Sequence, residues 1–491
     1  MDKALPTIGK DVIESLTLGM YEDCRFIYRE YIQNSADQID KAVNQGLIKT
    51  EEGNIYISIN AEEKSIEIED NATGIETKMV LPILQNIAQS TKIRGVDKGF
   101  RGIGRLGGLG YCELLIFETS FKGEGSKSIM IWDAKLLKEI INDRNVKENA
   151  VEVISRVTKL ITEKEELDKH YFKVILKNVT NNTLLNIKEI EEYLSMVAPV
   201  KYDRGFIFKS KIYEFIRREN FTIDEYNIFI NSEPLLKCYT TTIYSENNGC
   251  KKKADEIFDI KFFKEDSKDG EVLFWGWYGI SSFVEQIKKC NTARGLRLRK
   301  SNIQIGSEST LVRLFREQRG NFYFFGEVHG VHPDLIPNSR RDYFSENRTL
   351  HEFEKRFKEF CHTELHSLYY KASEIRNAER SIQDLVEFQK EYQQKEDSGF
   401  INKDEKAKYS TAFDLKKQKA INAKKKLERI KESVPSAEHP ISIILGKINK
   451  TGTIDPEKIE QSVEEKKTIF VTDKYSWIPK NERKLISRIF G

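Results

Sequence analysis

The sequence predicts an α+β protein with two mixed domains followed by a mainly helical region. Helix and strand patterns mix through residues 1–188, short β-rich runs separated by polar turns recur through 189–345, and glycine almost disappears from 346–435 while charged residues dominate. Residues 436–491 show no clear pattern and receive no role. A chain of 491 residues is too long for one compact core, which agrees with several domains of ordinary size.

The first domain is expected to contain a helix near 22–45 and two alternating strands, at Asn54–Asn60 and Lys64–Asp70. In the second domain, apolar and aromatic residues concentrate in short runs that are typical of strands. These runs are Tyr226–Asn231, Val272–Tyr278 and Asn321–Val328.

The C-terminal region is expected to form two long helices. A heptad-like seam steps by three and four along the first helix, through Ile375, Ala378, Ile382, Leu385, Gln389 and Tyr392. A second, lysine-rich helix should run from about 403 to 432 and stop before Pro435. A seam this narrow cannot be buried without a partner helix. It therefore predicts self-association or docking of an effector protein, and an intramolecular hairpin is the competing explanation.

The charge balance gives no general argument for a polyanionic partner. Lys plus Arg total 80 against 77 Asp plus Glu, a net charge of +3. The basic run Lys424–Lys426 leaves nucleic acid open as a local partner. The opening residues hold no apolar signal segment, and nowhere do eighteen apolar residues run together, so a cytoplasmic protein without a membrane span is expected.

Three polar residues of the first helix, Glu30, Asn34 and Asp37, fall at i, i+4 and i+7 and therefore share one face. Taken alone, this stripe would indicate a solvated surface. A separate apolar stripe lets the helix pack on a sheet while its polar face points elsewhere. That stripe comprises Ile32, Ala36, Ile39 and Val43.

Asp70 shares strand parity with Ile66 and Ile68, so its carboxylate should point to their apolar side. A buried carboxylate needs a hydrogen-bond donor, and the exocyclic amino group of adenine is one. Gly74, in the turn that follows, lets a planar base approach the backbone. Capping of the turn or of the next helix is the alternative role for this aspartate.

A glycine-rich segment between Gly95 and Gly110 holds seven of the chain's 28 glycines, interleaved with basic residues. Converging backbone N–H groups and cations together suit a polyphosphate. The residues in this segment or just before it that are expected to contact the nucleotide are Lys92, Arg101, Gly102, Gly104, Arg105, Gly107 and Gly108. No Gly-x-x-x-x-Gly-Lys-Ser/Thr motif occurs, so a P-loop is not the source of nucleotide binding.

The order of these parts resembles the GHKL superfamily of ATPases, which includes the ninety-kilodalton heat-shock chaperone, MORC and MutL proteins. Phe26–Lys41 reads much like the corresponding helix of that chaperone. The resemblance implies an N-terminal α/β sandwich that binds ATP and Mg²⁺. It also implies the following roles: Glu30 as general base, Asn34 as magnesium ligand, Asp37 on the same nucleotide-binding face, Asp70 as adenine contact and Gly74 as part of the base pocket. Ala72 departs from the family, which often has a glycine there.

In GHKL machines of this kind a second domain, the transducer, reaches the γ-phosphate with one cation. Gly326–Phe344 resembles the chaperone segment that carries this arginine; it places Arg340 at the matching position, with Arg341 next to it. A fixed guanidinium would neutralise the charge that develops during phosphoryl transfer. A surface ion pair is the alternative role for Arg340. Further candidate sensors are Arg297, Arg299 and Lys300.

The expected function is therefore a chaperone-like, ATP-hydrolysing conformational switch. ATP would order the glycine-rich lid, the N-terminal domains would form a homodimer, and hydrolysis would reset the cycle. One alternative is a MORC- or MutL-like ATPase linked to DNA, for instance in a defence system. Another is a nucleotide-gated scaffold that recruits an effector through the C-terminal helices, but such a scaffold does not need the acid at Glu30.

Overall fold

The computed structural model describes residues 8–17, 23–87, 104–247, 250–434 and 436–461. They confirm the α+β class and divide into two compact units. The first unit comprises the described residues up to Lys252, together with Phe262–Tyr278 and Ile287–Glu359. The second comprises Lys253–Lys261, Gly279–Gln286 and the described residues from Phe360 onward. The domain boundaries proposed from the sequence remain predictions.

An eight-stranded sheet forms the centre of the N-terminal part. Its strands are β1 (Asn54–Asn60), β2 (Ser65–Asp70), β3 (Leu114–Ser120), β4 (Ser126–Asp133), β5 (Thr158–Lys164), β6 (Tyr171–Lys177), β7 (Asn227–Ile230) and β8 (Glu233–Pro234). They lie in the order β5-β4-β3-β6-β2-β1-β7-β8. Neighbours are antiparallel except β1 and β7, which run parallel. Strand β2 starts one residue later than predicted because Lys64 has a left-handed φ of 49°.

Helix α2 packs on this sheet through the apolar stripe that the sequence predicts, since Ile32, Ala36 and Ile39 are all buried. It spans Phe26–Asn44, within the predicted range 22–45. The other helices of this part are α1 (Asp11–Thr17), α3 (Thr77–Leu84), α4 (Ala134–Asn142), α5 (Ala150–Val157), α6 (Ile187–Val197) and α7 (Lys209–Arg218).

Two further sheets follow. The first consists of β9 (Thr242–Asn247) and β10 (Cys250–Glu256), which pair with each other. The second consists of β11 (Asp259–Asp266), β12 (Val272–Ile280), β13 (Gly295–Lys300), β14 (Ile303–Gln304) and β15 (Phe325–Gly330). Its strands lie in the order β11-β12-β15-β13-β14. The strand predicted from Asn321 was wrong in its first half, because Gln318–Tyr323 is a 3₁₀ helix. The buried Asn321 side chain fixes this turn by accepting from Leu296 N and donating to the Glu308 carbonyl.

The C-terminal helices are α8 (Arg348–Phe360), α9 (His366–Ser398), α10 (Lys403–Glu432) and α11 (Pro440–Ile448), with a π-helical turn at Cys361–Leu365. The predicted seam of α9 is not open to a partner. Its residues Ile375, Ile382 and Leu385 are buried, and α9 packs against α10 and α11. The intramolecular hairpin therefore accounts for the seam. No helix in the described ranges has the length and apolarity that a membrane crossing requires.

Candidate active site

Asp70 ends strand β2 and is 1% exposed, as strand parity with Ile66 and Ile68 predicts. Its Oδ1 accepts from the backbone N–H of Ala72 at 3.2 Å. Its Oδ2 is buried without a hydrogen-bond partner in the part of the chain that the structure describes. Burial raises the pKa of Asp70 to about 7, although Ser35 and the Ala72 amide oppose the shift. This carboxylate therefore has a free acceptor atom for an external donor.

The turn after Asp70 is held close to the neighbouring strands. Gly74 has a left-handed φ of 66°, and a Cβ there would lie 1.9 Å from the Ser120 carbonyl oxygen. No other residue fits this approach without moving the backbone of β3. The carbonyl oxygen of Ala72 lies 2.7 Å from His170 Nδ1. The sequence reasoning did not single out His170, because only pairing across β6 brings it to the turn.

The polar stripe of α2 is buried. Glu30 is 7% and Asp37 4% exposed, and Asn34 is half-buried. A stripe of acids and an amide would be costly to bury without charge partners or a ligand. The solvated-surface alternative therefore does not describe this helix face.

Glycine at position 104 lets the chain approach the Glu30 carboxylate. Gly104 begins a 3₁₀ helix, Gly104–Gly110, and a Cβ on it would lie 2.4 Å from Glu30 Oε2. This contact joins the end of the glycine-rich segment to the residue proposed as general base. Of the other predicted phosphate contacts, Gly107 and Gly108 are buried in the same turn.

Tyr31 anchors that turn to α2 and is a site residue that the sequence analysis missed. Its hydroxyl accepts from Gly108 N and donates to the Arg105 carbonyl, both at 3.1 Å. The Arg105 guanidinium in turn donates to the carbonyl of Asn86, and burial lowers the pKa of Arg105 to about 10, which leaves it cationic at neutral pH. In the sequence, Tyr31 follows the apolar pattern of a core position, so the pattern does not reveal that its hydroxyl forms hydrogen bonds.

Among the residues that the structure describes, the nearest cation to Glu30 is Arg341. Its Nε lies 3.0 Å from Glu30 Oε1, and both side chains are almost completely buried. Arg341 has a left-handed φ of 54°, which is uncommon for a residue with a side chain. The segment that sequence resemblance assigned to the sensor therefore reaches helix α2.

Arg29 holds the turn that carries Arg341. Its two terminal nitrogens donate to the carbonyls of Arg340 and Arg341, at 3.3 and 3.4 Å. It is 1% exposed, stacks over the Phe26 ring at 4.2 Å and lies 3.8 Å from Glu30. No pattern in the sequence around Arg29 indicates this role, because its partners lie more than three hundred residues away.

Arg340, the predicted sensor, has an exposed side chain and lines a cavity of about 560 Å³ together with Arg25 and Tyr193. Its role stays a prediction, and the geometry favours its neighbour Arg341. The other candidate sensors are engaged elsewhere. Arg299 pairs with Glu327 at 2.8 Å, Arg297 donates to Gln304 and Thr292, and Lys300 donates to the carbonyls of Val331 and His332.

Three predicted phosphate contacts, Lys92, Arg101 and Gly102, lie outside the described residues. The residues that are described fit an adenine nucleotide. Asp70 offers an unpartnered buried acceptor, and a glycine brings the chain to a buried carboxylate that already faces a guanidinium.

Residues 26–166 match the family described as histidine kinase-, DNA gyrase B-, and HSP90-like ATPase. They contain Glu30, Asp70 and Gly104, and they form an ATPase domain of the GHKL superfamily.

Curated relatives are chaperones. The chaperone protein HtpG of Buchnera aphidicola subsp. Baizongia pistaciae (strain Bp) is 29% identical over 170 residues, which is 30% of this chain and 27% of the relative. HtpG of Buchnera aphidicola subsp. Cinara cedri (strain Cc) is 28% identical over 247 residues, 45% of this chain and 38% of the relative. HtpG of Wigglesworthia glossinidia brevipalpis is 27% identical over 199 residues, which is 36% of this chain and 31% of the relative. The matches thus span at most 38% of the length of these relatives.

Proposed function

We propose that this chain binds and hydrolyses ATP and uses the cycle as a chaperone-like conformational switch. The observation that carries the proposal is the environment of Glu30. Its buried carboxylate faces Gly104 of the glycine-rich segment on one side and the Arg341 guanidinium on the other. A carboxylate between a phosphate-binding loop and a fixed cation is suited to phosphoryl transfer.

Each part of the nucleotide has a residue that would hold it. Asp70 Oδ2 would accept from the adenine amino group, and the Gly104–Gly110 turn would lie against the phosphates. Asn34, one helical turn from Glu30, would hold Mg²⁺, which supplies charge neutralisation for the phosphates.

Arg341 would link hydrolysis to conformational change. In this structure its guanidinium neutralises Glu30. A γ-phosphate would compete for this nearer cation, and Glu30, then paired only with the more distant Arg29, would orient the attacking water and accept its proton. The guanidinium would report the γ-phosphate to the β-rich segment that carries it.

Turnover by a Glu30→Ala variant tests the enzymatic part. We expect ATP affinity, measured by calorimetry, to be retained, and phosphate release to fall by about two orders of magnitude or more. Glu62→Ala, which removes an exposed carboxylate from a turn of the same domain, is the matched control and should leave both unchanged. Equal turnover in Glu30→Ala and wild type would refute the assignment.

Lid closure, homodimerisation and chaperone activity are further parts of the proposal, supported by the similarity to HtpG. Sedimentation velocity with a non-hydrolysable ATP analogue should show a dimer that ADP does not induce. Light scattering should show ATP-dependent suppression of aggregation of a heat-denatured model protein. A chain that stays monomeric with the analogue and leaves aggregation unchanged would keep the ATPase and exclude the chaperone cycle.

A further inference from the structure

Helix α10 carries a concentration of positive charge that the nucleotide site does not use. Its segment Leu415–Lys431 contains eight basic residues and one acid, Glu428, although the whole chain is nearly neutral. At 1.5 Å per residue this segment is about 25 Å long. The charge is therefore a local feature of one helix.

Between Gln418 and Arg429 the side of α10 that faces away from the core is hydrophilic, while Leu415, one turn earlier, is an exposed apolar residue. Gln418, Asn422, Lys425 and Arg429 follow one another at i, i+4, i+7 and i+11 and are all exposed. We call these four residues the basic face. The opposite side is buried in the hairpin with α9 through Phe413, Ala420, Ala423, Leu427 and Ile430.

Most of this charge is not neutralised within the protein. Lys424 pairs with Asp455 at 3.3 Å and Lys426 with Glu374 at 2.9 Å. The other lysines and the arginine of the segment, apart from Lys416 near the Phe388 ring, form no ion pair among the described residues. They are Lys417, Lys419, Lys425, Arg429 and Lys431.

We propose that the basic face binds the phosphate backbone of duplex nucleic acid. Its side chains are donors of the kind that contact phosphates, and cations flank them on both sides. A protein partner fits less well, because interface cores are depleted in lysine and enriched in aromatic residues. A membrane surface fits less well too, because the apolar side of α10 is already buried in the hairpin.

A duplex fits better than a single strand. Binding of single strands relies on exposed aromatic rings that stack on bases. The two aromatic residues of α10 are occupied: Phe413 is buried, and Tyr409 stacks on Phe388 and donates to Glu391. A helix with cations along both flanks can instead lie along the phosphate rows of a groove.

The test uses the full chain and a fluorescent 30-base-pair DNA duplex, with anisotropy measured between 50 and 200 mM NaCl. We expect a Kd of about 1–100 μM that weakens steeply with salt. Replacing Lys425 and Arg429 together by Gln should lower affinity at least about tenfold and reduce the slope of log K against log salt by about 2. The matched control, Lys403→Gln with Lys408→Gln, removes two exposed charges from the other end of the same helix and should keep most of the affinity.

Competition distinguishes the ligands. Duplex DNA and duplex RNA should both displace the probe, and the stronger competitor is the duplex form that the basic face prefers. Equal loss of binding in both double variants, or absence of binding at 50 mM NaCl, would overturn the proposal. So would equal competition by single-stranded DNA, polyglutamate or phosphatidylserine vesicles. ATP turnover should be the same in all variants, so the result does not depend on the proposed ATPase, and circular dichroism would verify that α10 is folded.

Discussion

Arg341 reaches Glu30 from a left-handed backbone conformation, with Nε and Oε1 3.0 Å apart and φ at 54°. Such a conformation costs a side-chain-bearing residue about 1–2 kcal/mol. Local contacts compensate for this cost: Arg341 N donates to Asn338 O, while Gly306 N and Arg29 both donate to the Arg341 carbonyl. Strain that the surroundings over-determine is typical of functional turns.

The first prediction compares two adjacent arginines. Arg341→Ala should reduce single-turnover ATP hydrolysis by several tens-fold and leave ADP affinity unchanged, since only a γ-phosphate contact is lost. Arg340→Ala is the matched control, because Arg340 is exposed and lies in the same turn. Melting temperatures measured in parallel would separate a loss of stability from a loss of chemistry.

Each other outcome of that comparison has a definite meaning. If Arg340→Ala loses hydrolysis and Arg341→Ala does not, the sensor is the residue chosen by resemblance. If Arg341→Ala hydrolyses faster than wild type, its pair with Glu30 restrains the enzyme and does not assist it. Normal rates in both variants would remove the proposed coupling.

The second prediction uses the contact between Gly104 and Glu30. In Gly104→Ala the new methyl group would meet Glu30 Oε2, so the carboxylate must move. Because that atom ends a flexible side chain, we expect stability to change little while turnover falls at least about tenfold. Gly446→Ala is the control, since a Cβ at this helical position meets nothing within 4 Å. Wild-type turnover in Gly104→Ala would mean that the position of Glu30 in this structure is not catalytically relevant.

The third prediction concerns the free acceptor of Asp70. Asp70→Asn should weaken ATP binding by about 1–3 kcal/mol, because the amide presents a donor where the adenine amino group needs an acceptor. The melting temperature should not fall, since the substitution removes a buried carboxylate that lacks a full set of partners. Equal ATP affinity by calorimetry, or a clear loss of stability with retained affinity, would assign Asp70 a structural role.

Short-range patterns predicted much of the N-terminal part of the chain. The spacing of apolar residues was sufficient to predict helix α2, and strand parity was sufficient to predict the burial of Asp70. Both patterns depend on residues only a few positions apart. The same rule separates Glu30 and Asp37 from the apolar stripe of their helix. Neighbouring residues determine these features, so a sequence reveals them directly.

Contacts across the chain were beyond such reasoning. Nothing near Arg29 in the sequence indicates that it donates to the carbonyls of Arg340 and Arg341. The choice between those two arginines depends on one left-handed residue, and a propensity argument would not place an arginine in that conformation. The burial of the α9 seam likewise required knowing that α10 folds back on it.

The fourth prediction is a pH dependence of ATP binding that Asp70 causes. The carboxylate is a stronger acceptor for the adenine amino group than the neutral acid, and burial raises the pKa of Asp70 from 3.8 to about 7. A bound donor favours the charged form and lowers this pKa, so ATP affinity should fall by up to about tenfold per pH unit as the pH drops below 7. Calorimetric titrations of wild type and Asp70→Asn between pH 5.5 and 8.5 would measure it, since titration of ATP itself affects both proteins equally.

Protein stability should change with pH in the direction that the same shift dictates. A carboxyl whose pKa is higher in the folded chain binds its proton more tightly there, so its contribution to stability is largest below about pH 4 and is lost as the pH rises through about 7. Asp70→Asn removes this dependence, and its melting temperature should exceed that of wild type most at and above pH 7. If ATP affinity, or the melting temperature, changed with pH in the same way in wild type and Asp70→Asn, Asp70 would already be ionised at pH 5.5. That result would contradict both pH predictions.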